Sequence, residues 1–284
     1  MKKSLKKLAP ILIFLVGVLI AVYPFISQKY YEIESNNQIL DYIEKVDELE
    51  AKEIDRKFKL AKIYNDMLDI SKLADPYSEE EKDEALSEYA NMLKVQEKIG
   101  FVEIPKIEQN LPIYAGTSES ILQKGVGQLE GASLPIGGEN THTVLTAHRG
   151  LPSAKLFTDL DKMEVGDVFY IHSLKNVLAY EVDQILTVEP TDFEPVLVVD
   201  GKDYATLLTC TPYSVNSHRL LVRGKRIEYT APVKEPSIEL RKTKAMYQNY
   251  LYAALAFILI LIILIYLTRR RIKRINAMKE NKID

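Results

Sequence analysis

Two long stretches of the chain carry no charge at all. "LAPILIFLVGVLIAVYPFI" runs from Leu8 to Ile26, and "YLYAALAFILILIILIYL" from Tyr250 to Leu267. Each approaches the roughly 20 apolar residues that a helix needs to cross a bilayer. Lys2, Lys3, Lys6 and Lys7 precede the first; Arg269, Arg270, Arg271, Lys273 and Arg274 follow the second. Basic residues stay on the cytoplasmic side of a span. The pattern therefore predicts two transmembrane helices, both termini cytoplasmic, and Ser27 to about Asn249 outside. A signal peptide is the competing reading of the first stretch. No small-residue cleavage site follows it, since Ala21 leads into Val22, Tyr23 and Pro24, and an uncleaved anchor is expected.

Between the two stretches the rhythm changes twice. Ile39, Ile43, Val46 and Leu49, then Ile54, Phe58, Ile63 and Leu68, recur at steps of three to five among charges. That is the stripe of an amphipathic helix from Gln28 to about Ile70, made to pack on the following domain or on a neighbouring molecule. Pro76 then pushes Asp75 out of the helical region, so Asp75-Pro76-Tyr77 is a loop. Ser78 with Glu81 forms a capping box that begins a second helix. After Gly100 come short β-prone runs divided by Gly, Pro and Asn: "THTVLTAH", "DVFYIH", "LAYEVDQILTVEP", "YATLLTC" and "RLLVRGKRIEY". They predict a closed or nearly closed antiparallel β-domain, a barrel or sandwich, over about Gly100 to Thr230.

Charge narrows the function. The net of −3 conceals basic ends: between Leu8 and Thr268 the chain holds 26 basic and 38 acidic residues, a net of −12. An exported domain so acidic is a poor surface for nucleic acid or anionic lipid, which call for clustered Lys and Arg. Cys210 is the one cysteine, so no internal disulfide can form. An exported thiol without a partner is open to oxidation. It is either buried and inert or kept for chemistry.

Cys210 ends the run "YATLLTC". Its thiolate is the nucleophilic form, and a nearby cation or base favours it. Of the four histidines, His148 is the best partner, because "TVLTAHRG" puts it at the end of another β-prone run. Two strand ends meeting at one barrel rim would bring it to Cys210. His142 begins the same run and would lie roughly 20 Å away at about 3.3 Å per residue. His172 is a lesser contender. Arg219, past the turn "TPYSVNSH", starts a returning strand that would carry it back beside Cys210, where a guanidinium can stabilise a thiolate or an oxyanion. His218 next to it should face the other way, and Arg223 reads as an ordinary surface arginine. A thiol, an imidazole and a guanidinium at three strand ends suit thiol acyl transfer in general.

"TLLTC" followed by Arg219, together with "TAHRG", resembles the signature of sortases, the membrane-anchored cysteine transpeptidases of Gram-positive bacteria. The similarity runs from about Phe101 to Tyr229 and includes "LPIYAG" and "LPIGGENTHTVLTAHRGLPSAKLFTDL". "LADPYS", "TCTPY" and the second apolar span are similar to the class C, pilin-polymerising branch. The resemblance implies a mainly β fold: a sortase-type barrel with an N-terminal helical segment and a lid loop, flanked by two transmembrane helices. It implies Cys210 as nucleophile, His148 as acid/base and Arg219 as the oxyanion or substrate-orienting group. In the lid, Asp75 would reach Arg219 and Tyr77 would cover the thiol.

The expected organisation is a basic stub and anchor over 1–27, an extracellular helical segment over 28–99 with a lid loop at 71–78, and a catalytic barrel over 100–230. A linker over 231–249, a second span over 250–267 and a basic tail over 268–284 complete it. The implied partners are the membrane and pilins bearing an LPXTG-like sorting signal, cleaved between Thr and Gly, with a pilin lysine as acceptor. No cofactor or metal is implied. The alternatives are a housekeeping-type sortase that joins proteins to a cell-wall amine, and a membrane-bound scaffold with an inert cysteine. A papain-like hydrolase fits less well.

Overall fold

The computed structural model describes residues 2–68 and 93–230, with Tyr252 and Arg270 beyond them. The expected lid (Asp75, Pro76, Tyr77), the capping-box helix after Ser78, the linker and nearly all of the second apolar stretch lie outside the described residues.

The first apolar stretch and the first half of the amphipathic stretch are one continuous helix, α1 (Lys2–Asp47). Among the described residues no helix is long and apolar enough to cross a membrane. The stripe expected over Gln28 to Ile70 is interrupted at residues 48–50, and α2 (Ala51–Asp66) follows. No Gly or Pro marks that break, so nothing local announced it. Ile39, Tyr42 and Val46 of α1 are buried. In α2 the buried face runs through Ile54, Ala61 and Asn65, whereas Ile63, counted in the stripe, is 54% exposed.

Both helices pack on the following domain. The Tyr42 hydroxyl donates to the Ile99 carbonyl (3.3 Å) and accepts from the Leu174 N–H (2.8 Å). Lys98, with a side chain only 4% exposed, meets Asp41 at 3.0 Å. Asn65 mimics a strand partner: its amide nitrogen donates to the Leu134 carbonyl (3.2 Å), and its oxygen accepts from the Leu134 N–H (2.8 Å). Burying such groups with partners avoids the cost of about 1–3 kcal/mol for each one left unsatisfied.

The domain itself is a closed eight-stranded barrel. Its strands are β1 (Lys98–Ile104), β2 (Gln109–Ala115), β3 (Val126–Gln128), β4 (Thr141–Thr146), β5 (Val168–Ser173), β6 (Asn176–Val188), β7 (Asp203–Thr211) and β8 (His218–Ile227). The spatial order is β1-β2-β3-β4-β7-β8-β6-β5, and β5 closes on β1. The strand pattern predicted a closed or nearly closed antiparallel domain, a barrel or sandwich; it is a closed barrel in which β2·β3 and β4·β7 are parallel. A parallel pair needs a long crossover. The β5–β6 hairpin lies within the connection between β4 and β7, so no local turn joins those two strands.

The core follows from the apolar alternation. Ile99, Val102, Ile104, Ile113, Val144 and Leu207 are fully buried. Every residue of β4 is buried, so it lacks a polar outer face. Val144, Leu208 and Leu221 pack there with Leu129, Ala132 and Val196 from the connecting loops. β4 throughout, and β7 from Ala205 to Cys210, are covered on both faces.

Candidate active site

Cys210 is the penultimate residue of β7, and it is 6% exposed. Across the antiparallel β7·β8 ladder its Cα partner is Arg219, the second residue of β8, 7% exposed. The guanidinium folds back over the connecting turn, where its Nη1 donates to the carbonyls of Asn216 and His218, both at 3.0 Å. A guanidinium does not lose its proton at working pH, so a fixed positive charge stands one strand from the thiol. His218, next in sequence, faces away and pairs with Glu189 at 3.2 Å.

His148 reaches the same rim by a parallel register. β4 and β7 pair with a constant offset, from Thr141 with Asp203 to Thr146 with Leu208. Continued two residues past β4, that offset leads the chain at His148 toward Cys210. The junction is held beyond the last ladder rung. The Ala147 N–H donates to the Leu208 carbonyl (3.3 Å), and the Thr209 hydroxyl to the Ala147 carbonyl (2.8 Å). His148 Nε2 lies 3.2 Å from both carboxylate oxygens of Glu119, which opens the short helix α3 (Glu119–Leu122).

Cys210 and Arg219 are thus backbone neighbours at one barrel rim, and the β4 register leads His148 toward the same rim. The sortase domain family matches residues 102–227 of this chain, the barrel that builds this rim. A sortase C from Streptococcus pneumoniae is 62% identical, over 69% of this chain and 100% of that one, with a TM-score of 0.64. The pilus-related sortase C of Group B Streptococcus is 54% identical over 66% and 96%, also at 0.64. The chain belongs to the sortase family. Sortases are cysteine transpeptidases, and the likeness to sortase C structures puts the chain in class C. More distantly, a sortase A from Bacillus anthracis is 25% identical over 224 residues, which is 78% of this chain and 95% of that protein.

His142 and His172 of this sortase are held in packed surroundings away from Cys210. His142 is buried at the far end of β4. Its Nδ1–H donates to the Leu197 carbonyl, and its Nε2 accepts from the Thr206 hydroxyl, both at 2.8 Å. Burial pushes its pKa down to about 4. His172 stacks on Phe101, with ring centroids 4.0 Å apart, and meets Glu103 at 3.3 Å. Arg223 is not the surface arginine that its place in the sequence suggested. It is half-buried, grips Asp183 with two bonds of 3.0 and 2.9 Å, and lies over the Tyr204 ring.

Two residues escaped the sequence reading. Arg149, inside "TAHRG", ties the histidine loop to the cysteine strand. Its Nε donates to the Thr158 carbonyl (3.2 Å) and its Nη1 to the Thr211 hydroxyl (3.1 Å), while its Nη2 meets Asp161 at 2.6 Å. Gly150 follows it at φ +91, and a Cβ there would lie 2.9 Å from the Tyr213 ring. The loop after β4 therefore touches the loop after β7 through a glycine, which alone tolerates both the dihedral and the approach. The "HRG" sequence was a signal for both residues, but neither contact partner is near in sequence.

Among the described residues no three His, Cys, Asp or Glu side chains converge as metal ligands would. A cavity of about 680 Å³ opens at the other end of the barrel, beside Gly137, Asp203, Arg226 and Tyr229. It is remote from the chemistry, because Asp203 begins the strand that Cys210 nearly ends.

Proposed function

We propose that this sortase polymerises pilins. Cys210 attacks the Thr–Gly carbonyl of an LPXTG-like sorting signal, and Arg219 stabilises the oxyanion. His148 protonates the departing glycine amine, leaving a thioacyl enzyme. The ε-amine of a lysine on a second pilin then attacks, His148 takes its proton, and an isopeptide bond replaces the thioester. Splitting acyl transfer into two steps is ordinary covalent catalysis. A fixed donor at an oxyanion contributes about 10²- to 10³-fold, and a positioned acid/base about 10²- to 10⁴-fold. The observation that carries the reading is the pairing of Cys210 with Arg219 on β7 and β8, at the rim where the β4 register brings His148. The pilus-related neighbours support the choice of pilins as substrate.

The enzyme is tethered to the membrane in this reading. Leu8–Ile26 is uncharged between basic and mixed flanks, and Ile13, Ile20 and Phe25 are exposed on α1. Tyr250–Leu267 would supply the second anchor. Tethering raises the effective concentration of a membrane-bound sorting signal. Asp75-Pro76-Tyr77 is the lid in the same reading, with Asp75 toward Arg219 and Tyr77 over the thiol. The support for the lid is its sequence motif.

The test is polymerisation in cells that hold no other sortase. Wild type should yield detergent-resistant pilin ladders, pellet with membranes, and lose its catalytic domain to protease added outside. Cys210→Ala should stay folded and yield none. Ladders that persist with Cys210→Ala would rule the mechanism out. Monomeric pilin joined to a cell-wall amine would replace polymerisation with anchoring.

A further inference from the structure

The contact between Glu119 and His148 has a chemical consequence. An ionised carboxylate only accepts hydrogen bonds. With both Glu119 oxygens 3.2 Å from Nε2, that nitrogen carries a proton, and in the neutral ring Nδ1 is the basic one. The carboxylate takes one further hydrogen bond, and the helix that carries it is anchored separately. Gln123 Nε2 donates to Glu119 Oε1 at 2.9 Å, one turn further along the chain. Just before α3, the Thr117 N–H and hydroxyl donate to the two oxygens of Glu130, at 2.9 and 2.7 Å, which pins the start of the helix. The nearby cation, Arg149, spends its guanidinium on Asp161, Thr158 and Thr211.

We propose that Glu119 is a positioning residue, which orients the His148 ring, sets its tautomer and stabilises the imidazolium formed in each half-reaction. The proposal rests on the reading of His148 as the acid/base. A group held to a histidine in this way acts as the third member of other nucleophile–base arrangements. Here it comes from the β2–β3 connection rather than from β7, β8 or the segment that follows β4. The Glu119 side chain is 64% exposed, so water competes for it and the effect is modest.

The experiment compares Glu119→Ala and Glu119→Gln with wild type in the full chain, using a sorting-signal peptide as donor and an amine as acceptor. In Glu119→Ala, kcat should fall about three- to fivefold with KM within about twofold, since the interaction matters most when the ring is charged. Glu119→Gln should lie between, because its amide oxygen still accepts from Nε2–H without supplying charge. Imidazole nitrogen NMR of the neutral ring is the second readout. Wild type should show His148 protonated at Nε2 and bare at Nδ1, and Glu119→Ala a mixture of tautomers. An unchanged kcat, a KM that rises in step with the loss, or an unmoved imidazole spectrum overturns the proposal. If wild type fails to transfer the peptide, the proposed function fails, and the NMR readout still decides the Glu119–His148 pairing.

Discussion

Arg149 offers the sharpest test of how this site is held together. Its guanidinium donates to the Thr158 carbonyl and the Thr211 hydroxyl and pairs with Asp161. Thr211 is the residue after Cys210, and Arg149 the residue after His148, so one side chain spans the two catalytic candidates. Hydrogen bonds from a charged group contribute about 1.5–3 kcal/mol each where water cannot replace them. Thr158 and Thr211 are half-buried, which favours the low end. Asp161 is 51% exposed, so its ion pair adds at most about 1 kcal/mol. Arg149→Ala should therefore destabilise by about 3 kcal/mol. Arg149→Lys keeps the charge but not the fork, and should recover less than half of that.

Activity should fall further than stability accounts for. Displacing a catalytic group by about 1 Å can cost on the order of 10²-fold, so kcat/KM of Arg149→Ala should drop by about 10- to 100-fold under conditions where the variant is fully folded. Urea unfolding followed by tyrosine emission is convenient, since the chain has no tryptophan. A double-mutant cycle with Thr211→Val isolates the bridge itself, and about 1 kcal/mol of coupling is expected. Zero coupling, or an Arg149→Lys protein with wild-type stability and turnover, would refute the clamp.

Two more outcomes follow from other parts of the molecule. His142 has its pKa depressed by burial to about 4 against an ordinary 6.5, so on acidification the unfolded chain takes up a proton that the folded one refuses. Stability is lost as pH falls from about 6.5 to about 4, by about 2 kcal/mol at pH 5, and His142→Gln should flatten urea midpoints between pH 7 and 5; an equal slope in both proteins would contradict this. For the proposed lid, Asp75→Ala should speed alkylation of Cys210 by a small electrophile, and an unchanged labelling rate would count against gating.

Much of the site was legible from spacing. Cys210 and Arg219 flank a turn short enough that two β-prone runs on either side had to pair, which set them opposite one another. His148 was legible as a strand end, although its approach depends on β4 and β7 lying parallel, with a hairpin in the crossover. Period-2 patterning marks strands but carries no direction of pairing, so an antiparallel barrel was the natural expectation. The break at residues 48–50, the exposure of Ile63 and the burial of Arg223 were equally invisible. Each depends on which surface the barrel presents to that residue.

The sequence by itself determined the local alphabet of this protein: where five of the strands lie, where the charges lie, and that a thiol, an imidazole and a guanidinium sit at strand ends. Tertiary structure alone decided neighbours. Arg149 meeting Thr211, Glu119 meeting His148, and Tyr213 lying against Gly150 join residues 62, 29 and 63 positions apart. Such contacts arise when a barrel closes and fixes the register of strands that share no turn. A side chain's chemistry is written in its own position, but its partner is chosen by packing.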